Sequence, residues 1–375
     1  MLFVSNEDIT QALNEKRLST ETVVDRIEEA YRELAQGKAV YSPRRGVTVP
    51  IDRAYAHDGF IDEKVTFATM EGALPSRGAM AVRMKMDVGY RLEDPVTGAK
   101  THEKYCAEPG LFCGLVILMD SNTAEPLAMM NDGVIQHLRV AGTNALAAKY
   151  MARREARVLG IFGSGGMARS HAAAMAAVRP IELIKVYSPT RAHREAFASE
   201  IGEELGIEVH PVESPADLPD GCDIIAACTD SISAVILKEF VHPGVHLCSV
   251  TSYELEGGAV DRLDAIVLHQ AIASGTVATY GTAVGSIAPN GDIEPLVRPP
   301  NAMFSTGEKV RGTLTDLVSG TIQGRTDASE VNFFYNNAGS GLQFAAIAAQ
   351  VYEAVQETGT GKEIPTEWLL QDIRD

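Results

Sequence analysis

Residues 157–191, "RVLGIFGSGGMARSHAAAMAAVRPIELIKVYSPTR", carry the spacing in this chain that most directly implies chemistry. Gly163, Gly165 and Ala168 stand in the pattern G-x-G-x-x-G/A, directly after a strand-like run and directly before an alanine-rich helical one. Gly163 permits a tight turn, Gly165 lets the backbone approach a pyrophosphate, and Ala168 allows close contact between helix and strand. A helix start adds free amides and a positive dipole end. Gly163, Ser164, Gly165, Gly166 and Met167 are therefore candidate cofactor-binding residues. A glycine-lined packing turn would not require the strand–helix units that follow. Dinucleotide binding is the expected chemistry.

An NAD-preferring site carries Asp or Glu about 20 residues further on, where it accepts from the ribose hydroxyls. Here the next strand ends "VYSPTR" and offers Ser188, Thr190 and Arg191 instead. Hydroxyls and a guanidinium suit a 2′-phosphate, which predicts a preference for NADP(H) over NAD(H). Thr229 and Thr251, which follow the strand-like runs "DIIAAC" and "VHLCSV", complete the candidate cofactor set.

These residues need a parallel sheet to hold them. From Val158 to His269 short apolar runs alternate with helical or loop segments, the texture of a sheet with helices on both faces. Before it, residues 5–37 read as two helices, the second with Ser/Thr caps, and 47–132 as short alternating or apolar strands broken by Asp, Gly and Pro, suited to an antiparallel sheet. The polar stretch 91–110 reads as a long loop, either an active-site flap or an insertion. The expected division is a first substrate-binding and dimerisation part (1–135), a nucleotide-binding domain (136–306) and a C-terminal return to the first part (307–375). A small-residue face on "GSGLQFAAIAAQVYEAV" predicts that the tail helix mediates a homodimer.

At 375 residues the chain can hold two cores. Its formal net charge of −17 disfavours nucleic acid or an anionic membrane as partner. No apolar run approaches the roughly 20 residues of a membrane span, and the start "MLFVSNEDITQAL" meets acidic residues too early for a secretory signal. Five cysteines without C-x-x-C spacing favour a reducing cytoplasm and argue against a metal site.

The block "HLRVAGTNALAAKYMARREARVLGIFGSGGMARSHAAAMAAVRPIELIKVYS" and the tail "GRTDASEVNFFYNNAGSGLQFAAIAAQVYE" resemble the ornithine cyclodeaminase/mu-crystallin family. The likeness runs from Arg45 to Glu353. It implies a Rossmann-type doubly wound sheet plus an α+β substrate domain built from both chain ends, a homodimer, and hydride transfer between NAD(P) and a small amino or imino acid. The family's carboxylate-binding arginine after a proline falls in "SPRRG", giving Arg45 with Arg44 as the alternative register. Its strand lysine falls in "AVRMKMD", where Arg83 and Lys85 share a face by the period of two. Lys85 is preferred, because burial can lower a lysine pKa enough for proton exchange and arginine cannot follow. Arg139 in "HLRVAG" matches the arginine of the family's Arg-Thr helix, although Val140 replaces the threonine.

One position departs from the resemblance. The cyclodeaminases' catalytic aspartate aligns with Tyr253, next to Glu254. Without it, the expectation is an NADP(H)-dependent imine reductase or amino-acid dehydrogenase, with Lys85 catalytic and Arg45, Lys85 and Arg139 binding substrate. The alternatives are a cyclodeaminase using Glu254 and a crystallin-type ligand-binding protein. The segment 270–306, with a poor match to the family, is expected to shape specificity.

Overall fold

A computed structural model describes residues 1–95, 98–270, 277–279, 309–336 and 339–373. Most of the 270–306 stretch expected to shape specificity lies outside the described residues. The chain starts with β1 (Leu2–Val4), α1 (Asn6–Asn14) and α2 (Thr20–Ala35). Ser5 and Ser19 close capping boxes at the two helix starts, satisfying amides that would otherwise lack partners. The expected helix pair is present, and α2 buries Val23, Val24, Ile27 and Tyr31.

Next come β2 (Val40–Tyr41), β3 (Arg45–Pro50), β4 (Ile61–Leu74), β5 (Ala79–Glu93), β6 (Lys100–Tyr105), β7 (Gly114–Asp120) and β8 (Pro126–Asn131). They form the body of a mainly antiparallel sheet whose central order is β3-β4-β5-β7-β8-β1. β5 alternates strictly at first: Ala79, Ala81, Arg83, Lys85 and Asp87 are buried, while Met80 and Met86 are exposed. Apolar residues on both faces of a strand are ordinary. Three consecutive inward positions occupied by charge are not, since buried charge requires partners. The stretch 91–110, read as a loop, instead contains β6, which pairs antiparallel with the second half of β5. Its alternating polar residues conceal a strand because neither face carries an apolar stripe.

The long helix α3 (Gly133–Met151) leads to β9 (Val158–Phe162), α4 (Gly166–Val178), β10 (Leu183–Tyr187), α5 (Arg191–Leu205), β11 (Glu208–Pro211), β12 (Ile224–Ala227), β13 (His246–Ser249) and β14 (Ala265–Leu268). Beyond them lie β15 (Val277–Thr279), β16 (Val310–Thr313), α6 (Leu314–Ser319), β17 (Asn332–Tyr335), α7 (Gly341–Thr358) and β18 (Lys362–Glu363). The second sheet has the order β11-β10-β9-β12-β13-β17-β14-β16, with every pairing parallel. Strand order reverses between β9 and β12, the crevice where open α/β sheets bind ligands.

Two expectations about the tail need correction. The return at residue 307 starts later, because β16 and β17 still belong to the parallel sheet and α7 is what packs on β4 and β5. The apolar face of α7 is also spent inside the chain: Leu342, Phe344, Ile347, Val351 and Val355 are wholly buried. A side chain on Gly72 or Gly341 would overlap the other's backbone, so the two glycines let α7 lie directly on the sheet. The face left uncovered is that of the sheet, where Met80 and Met86 are 51% and 56% exposed and Val47 and Phe67 also stand outward. No described helix is long and apolar enough to cross a membrane.

Candidate active site

The glycine turn ends β9 and starts α4. Gly163 has φ +106°, and a Cβ there would stand 2.5 Å from the Cys228 carbonyl oxygen, so this turn needs glycine twice over. Gly165 caps α4 without a side-chain hydrogen bond, leaving the helix's first amides unclaimed by the cap side chain. A Cβ at Gly165 would meet nothing within 4 Å, so the space above it is open. Ala168 is wholly buried against the sheet. Around this turn lies a cleft of about 540 Å³, lined by residues 163–167, Ser188, Pro189, His193, Thr229 and Val250 among others. Free helix-start amides, open space above a glycine and the strand-order switch together fit a dinucleotide pyrophosphate.

The end of β10 is arranged differently from its expected role. Ser164 Oγ donates to Ser188 Oγ at 2.9 Å, tying the glycine turn to this strand end. Arg191 is 70% exposed and paired with Glu195 at 2.7 Å, outside the cleft lining. The i,i+4 spacing on α5 captures it. Arg194, unremarked in the sequence, is buried, donates to the Ser188 carbonyl at 3.1 Å and pairs with Glu213 at 2.6 Å. It shapes the wall beside Ser188, while His193 supplies the imidazole of the lining.

Glu254 holds the opposite wall. Its carboxylate is fully buried and accepts from the Thr229 amide (2.6 Å), the Thr229 hydroxyl (2.8 Å), the Val250 amide (2.8 Å) and the Thr251 amide (2.7 Å). Burial raises its pKa, with the four hydrogen bonds opposing. A carboxylate so engaged fastens the ends of β12 and β13 together and has no lone pair left to direct at a substrate. Tyr253 is mostly exposed. Thr229 lines the cleft, and Thr251 reaches it only through this clamp.

The second half of the site is a cationic recess on the inner face of the first sheet. The register pairs Gly46 with Ala68 and Ala68 with Lys85, whereas Arg45 pairs with Thr69 and Thr69 with Met84. Arg45 therefore lies on the face away from Lys85, where its charge acts on Glu71. Arg44 is the residue in electrostatic reach of Arg83, Lys85, Asp87 and Arg139. The assignment of Arg45 is corrected to Arg44, because register and not distance from the proline decides the face.

Arg83 and Lys85 share the inner face, as the period of two requires. Arg83 is committed to Asp132, with Nε and a terminal nitrogen each 2.6 Å from Oδ2. Gly114 makes room for that carboxylate, since a side chain there would overlap it. Lys85 Nζ bonds Asp87. Burial, then the charge of Lys104, pushes the Lys85 pKa down to about 8, against the pull of Asp87. Arg139 stands on α3 and donates to Gln136 at 3.2 Å; its guanidinium and that of Arg83 lie over the Phe344 ring at 5.6 and 5.7 Å. Burial, then Arg83 and Arg44, disfavours its charged form. An arriving anion would relieve that strain.

Cleft and recess are joined twice. Lys100 and Thr101 of β6 line the cleft, while the His102 amide donates to the Asp230 carbonyl at 2.9 Å and the Ile232 amide to the Lys100 carbonyl at 3.0 Å. On α3, His137 packs against Gly166, where a Cβ would meet its ring at 2.7 Å, and Arg139 follows two residues on. Asp87, Asp132, Lys104 and Phe344 escaped the sequence reading. Charge at inward positions of β5 was a signal for Asp87 alone; Asp132, Lys104 and Phe344 lie on other elements.

Residues 95–359 match the profile of the ornithine cyclodeaminase/mu-crystallin family. The Delta(1)-pyrroline-2-carboxylate reductase of Bacillus cereus is 28% identical over 251 residues, 67% of this chain and 74% of that one. The alanine dehydrogenase of Archaeoglobus fulgidus is 26% identical over 363 residues, 95% of this chain and 97% of that one. Among solved structures, the Thermococcus litoralis Delta(1)-pyrroline-2-carboxylate reductase in complex with NADH and L-proline superposes with a TM-score of 0.73 at 24% identity, covering 97% of this chain and all of that one.

Proposed function

The chain belongs to the ornithine cyclodeaminase/mu-crystallin family, and we propose that it is a pyridine-nucleotide oxidoreductase interconverting a small imino or oxo acid and the corresponding amino acid. The observation carrying this reading is the buried Lys85–Asp87 pair, set among arginines in a recess tied to a nucleotide cleft through β6 and α3. Relatives named as pyrroline-carboxylate reductase and alanine dehydrogenase support it.

The residues divide the work. Arg44 and Arg139 hold the substrate carboxylate, which supplies the bonded anion that neither has among the described residues. Fixing that carboxylate orients the carbon–nitrogen bond, and positioning of this kind accounts for much of an enzyme's rate. Asp87 fixes Lys85 Nζ. With its pKa near 8, Lys85 exchanges a proton with the substrate nitrogen in either direction at neutral pH. A pyridine nucleotide held at residues 163–167 and Ser188 would supply hydride chemistry at the adjacent carbon. Glu254 keeps Thr229 and Val250 in place beside the cofactor, a role that leaves Glu254 itself with no lone pair to activate water for ammonia loss.

Preference for NADP(H) rests on Ser188, Pro189 and His193 lining the cleft where an NAD enzyme carries a carboxylate. A homodimer through the exposed apolar face of the first sheet, in place of α7, is the proposed assembly, supported by the dimeric archaeal alanine dehydrogenase. Five free cysteines support a cytoplasmic location.

The deciding experiment is a screen of 2-oxo acids with ammonia or methylamine, and of cyclic imino acids, following NADPH oxidation. Steady oxidation with at least one such pair is the expected result. Release of ammonia and proline from ornithine without net cofactor turnover would establish the cyclodeaminase reaction instead.

A further inference from the structure

The recess carries more positive charge than one substrate carboxylate needs. Among the described residues five cations bear on it: Arg44, Arg83, Lys85, Lys104 and Arg139, whose charges act on one another. Two carboxylates answer them, Asp132 bonded to Arg83 and Asp87 bonded to Lys85. Arg44 and Arg139 account for the substrate carboxylate under the reading above. Lys104 is left over, with no hydrogen bond or ion pair among the described residues.

Its position follows from register. Lys104 pairs with Gly89 across β5 and β6, and directly paired residues project to the same face. Gly89 lies two residues beyond Asp87 on the inner face, about 7 Å along the strand at 3.4 Å per residue. Gly89 has no side chain, and among the described residues the His102 ring packs over it beside Lys104, its Nε2 3.3 Å from where a Cβ would stand. Lys104 is exposed to solvent, and its charge acts on Lys85, Asp87, Arg44, Arg83 and Arg139, which sets it at the open edge of the recess. Lys100 and Thr101, not Lys104, line the nucleotide cleft.

We propose that Lys104, beside His102 on the inner face of β6, binds an anionic group on the substrate side chain, so that the substrate is a dicarboxylic imino or oxo acid and the product its acidic amino acid. The proposal rests on the functional reading above. It requires an acid whose second carboxylate lies a few carbons from the amino carbon, matching the step from Asp87 to Gly89.

The test is calorimetric titration of the NADP⁺-loaded protein with L-aspartate and L-glutamate, each against a monocarboxylic counterpart of similar size, L-2-aminobutyrate and L-norvaline. The diacids should bind about 10-fold tighter or more, the worth of one bond to a charged group. Lys104→Met should erase that preference while leaving the monoacids and NADP⁺ within about twofold, because it removes the charge and keeps the stem. Equal binding of diacids and monoacids by the unaltered protein, or a preference that survives Lys104→Met, overturns the inference and leaves the functional reading standing. Loss of NADP⁺ affinity as large as the loss of diacid affinity assigns Lys104 to the cofactor, and also overturns it. If neither NADP⁺ nor any amino acid binds, the functional reading itself fails and the inference falls with it.

Discussion

The nucleotide cleft and the cationic recess are built from opposite materials. The cleft is largely backbone: a glycine turn, helix-start amides, and strand ends clamped by the fully bonded Glu254. Its ligand contacts would be local in sequence and tolerant of side-chain identity. The recess is made of side chains brought from β5, β6, α3 and the approach to β3, and its charges are only partly balanced among the described residues. One region is complete and waits for a shape; the other is incomplete and waits for a charge. Substitutions in the recess should therefore change chemistry and substrate affinity, and substitutions in the cleft should change cofactor binding or folding.

The largest effect is expected at Lys85. Lys85→Met should lower turnover about 10²–10⁴-fold, the usual worth of a positioned proton relay, with cofactor affinity unchanged. The pH profile gives the same residue a second signature. Reduction needs the protonated amine as donor, so its rate should fall as pH rises through about 8; oxidation needs the free amine and should rise through the same value. Arg83→Met, on the same face, should act on the fold: it strands Asp132 buried without a partner, costing about 3–5 kcal/mol, read as a lower Tm. Full turnover in Lys85→Met with none in a folded Arg83→Met would exchange their roles.

Arg44 and Arg45 sharpen the contrast within one dipeptide. Arg44→Met should raise the substrate KM about 10- to 150-fold, equivalent to about 1.5–3 kcal/mol for bonds to a charged group. Arg45→Met, on the outer face, should leave KM unchanged. Steady-state kinetics of the two variants decide the register, and the reverse pattern would place the recess on the wrong face of the sheet.

How much of this was legible in the sequence follows the same division. The glycine turn, its helix and the parallel strands were readable because each depends on neighbours within a few residues. The two early helices were equally local, the second announced by its Ser/Thr cap. The recess depends on pairings between residues far apart in the chain, such as Arg45 with Thr69 and Gly89 with Lys104. A one-residue slip exchanges the faces of a strand, so Arg44 and Arg45 could not be separated without that register. β6 was hidden because Lys100–Tyr105 alternates polar with polar, and α7 misled because a small-residue face serves an internal contact as well as a dimer.

In the cleft, two glycines should separate folding from binding. Gly163→Ala forces φ +106° on a side chain and should cost about 1–3 kcal/mol of stability, seen in thermal melting. Gly165→Ala adds a methyl group to open space, so it should leave Tm intact and weaken nucleotide binding in a fluorescence titration. A Gly165→Ala protein that binds NADPH normally would remove the pyrophosphate from that position. The smallest effect is expected from Ser188→Asp, a shift of about tenfold toward NAD(H) in the affinity ratio, equivalent to about 1.4 kcal/mol. An unaltered protein that already binds NAD(H) as well as NADP(H) would contradict the reading of the β10 end.

The central claim is that cleft and recess meet at one carbon, where a hydride passes beside Lys85. It is tested most directly by giving the enzyme NADPH deuterated at the transferring position of nicotinamide C4, together with an imino acid or a 2-oxo acid and ammonia, and weighing the amino-acid product. The account predicts one deuterium on the α-carbon for each NADPH oxidised. An amino acid formed without deuterium at that carbon would contradict it.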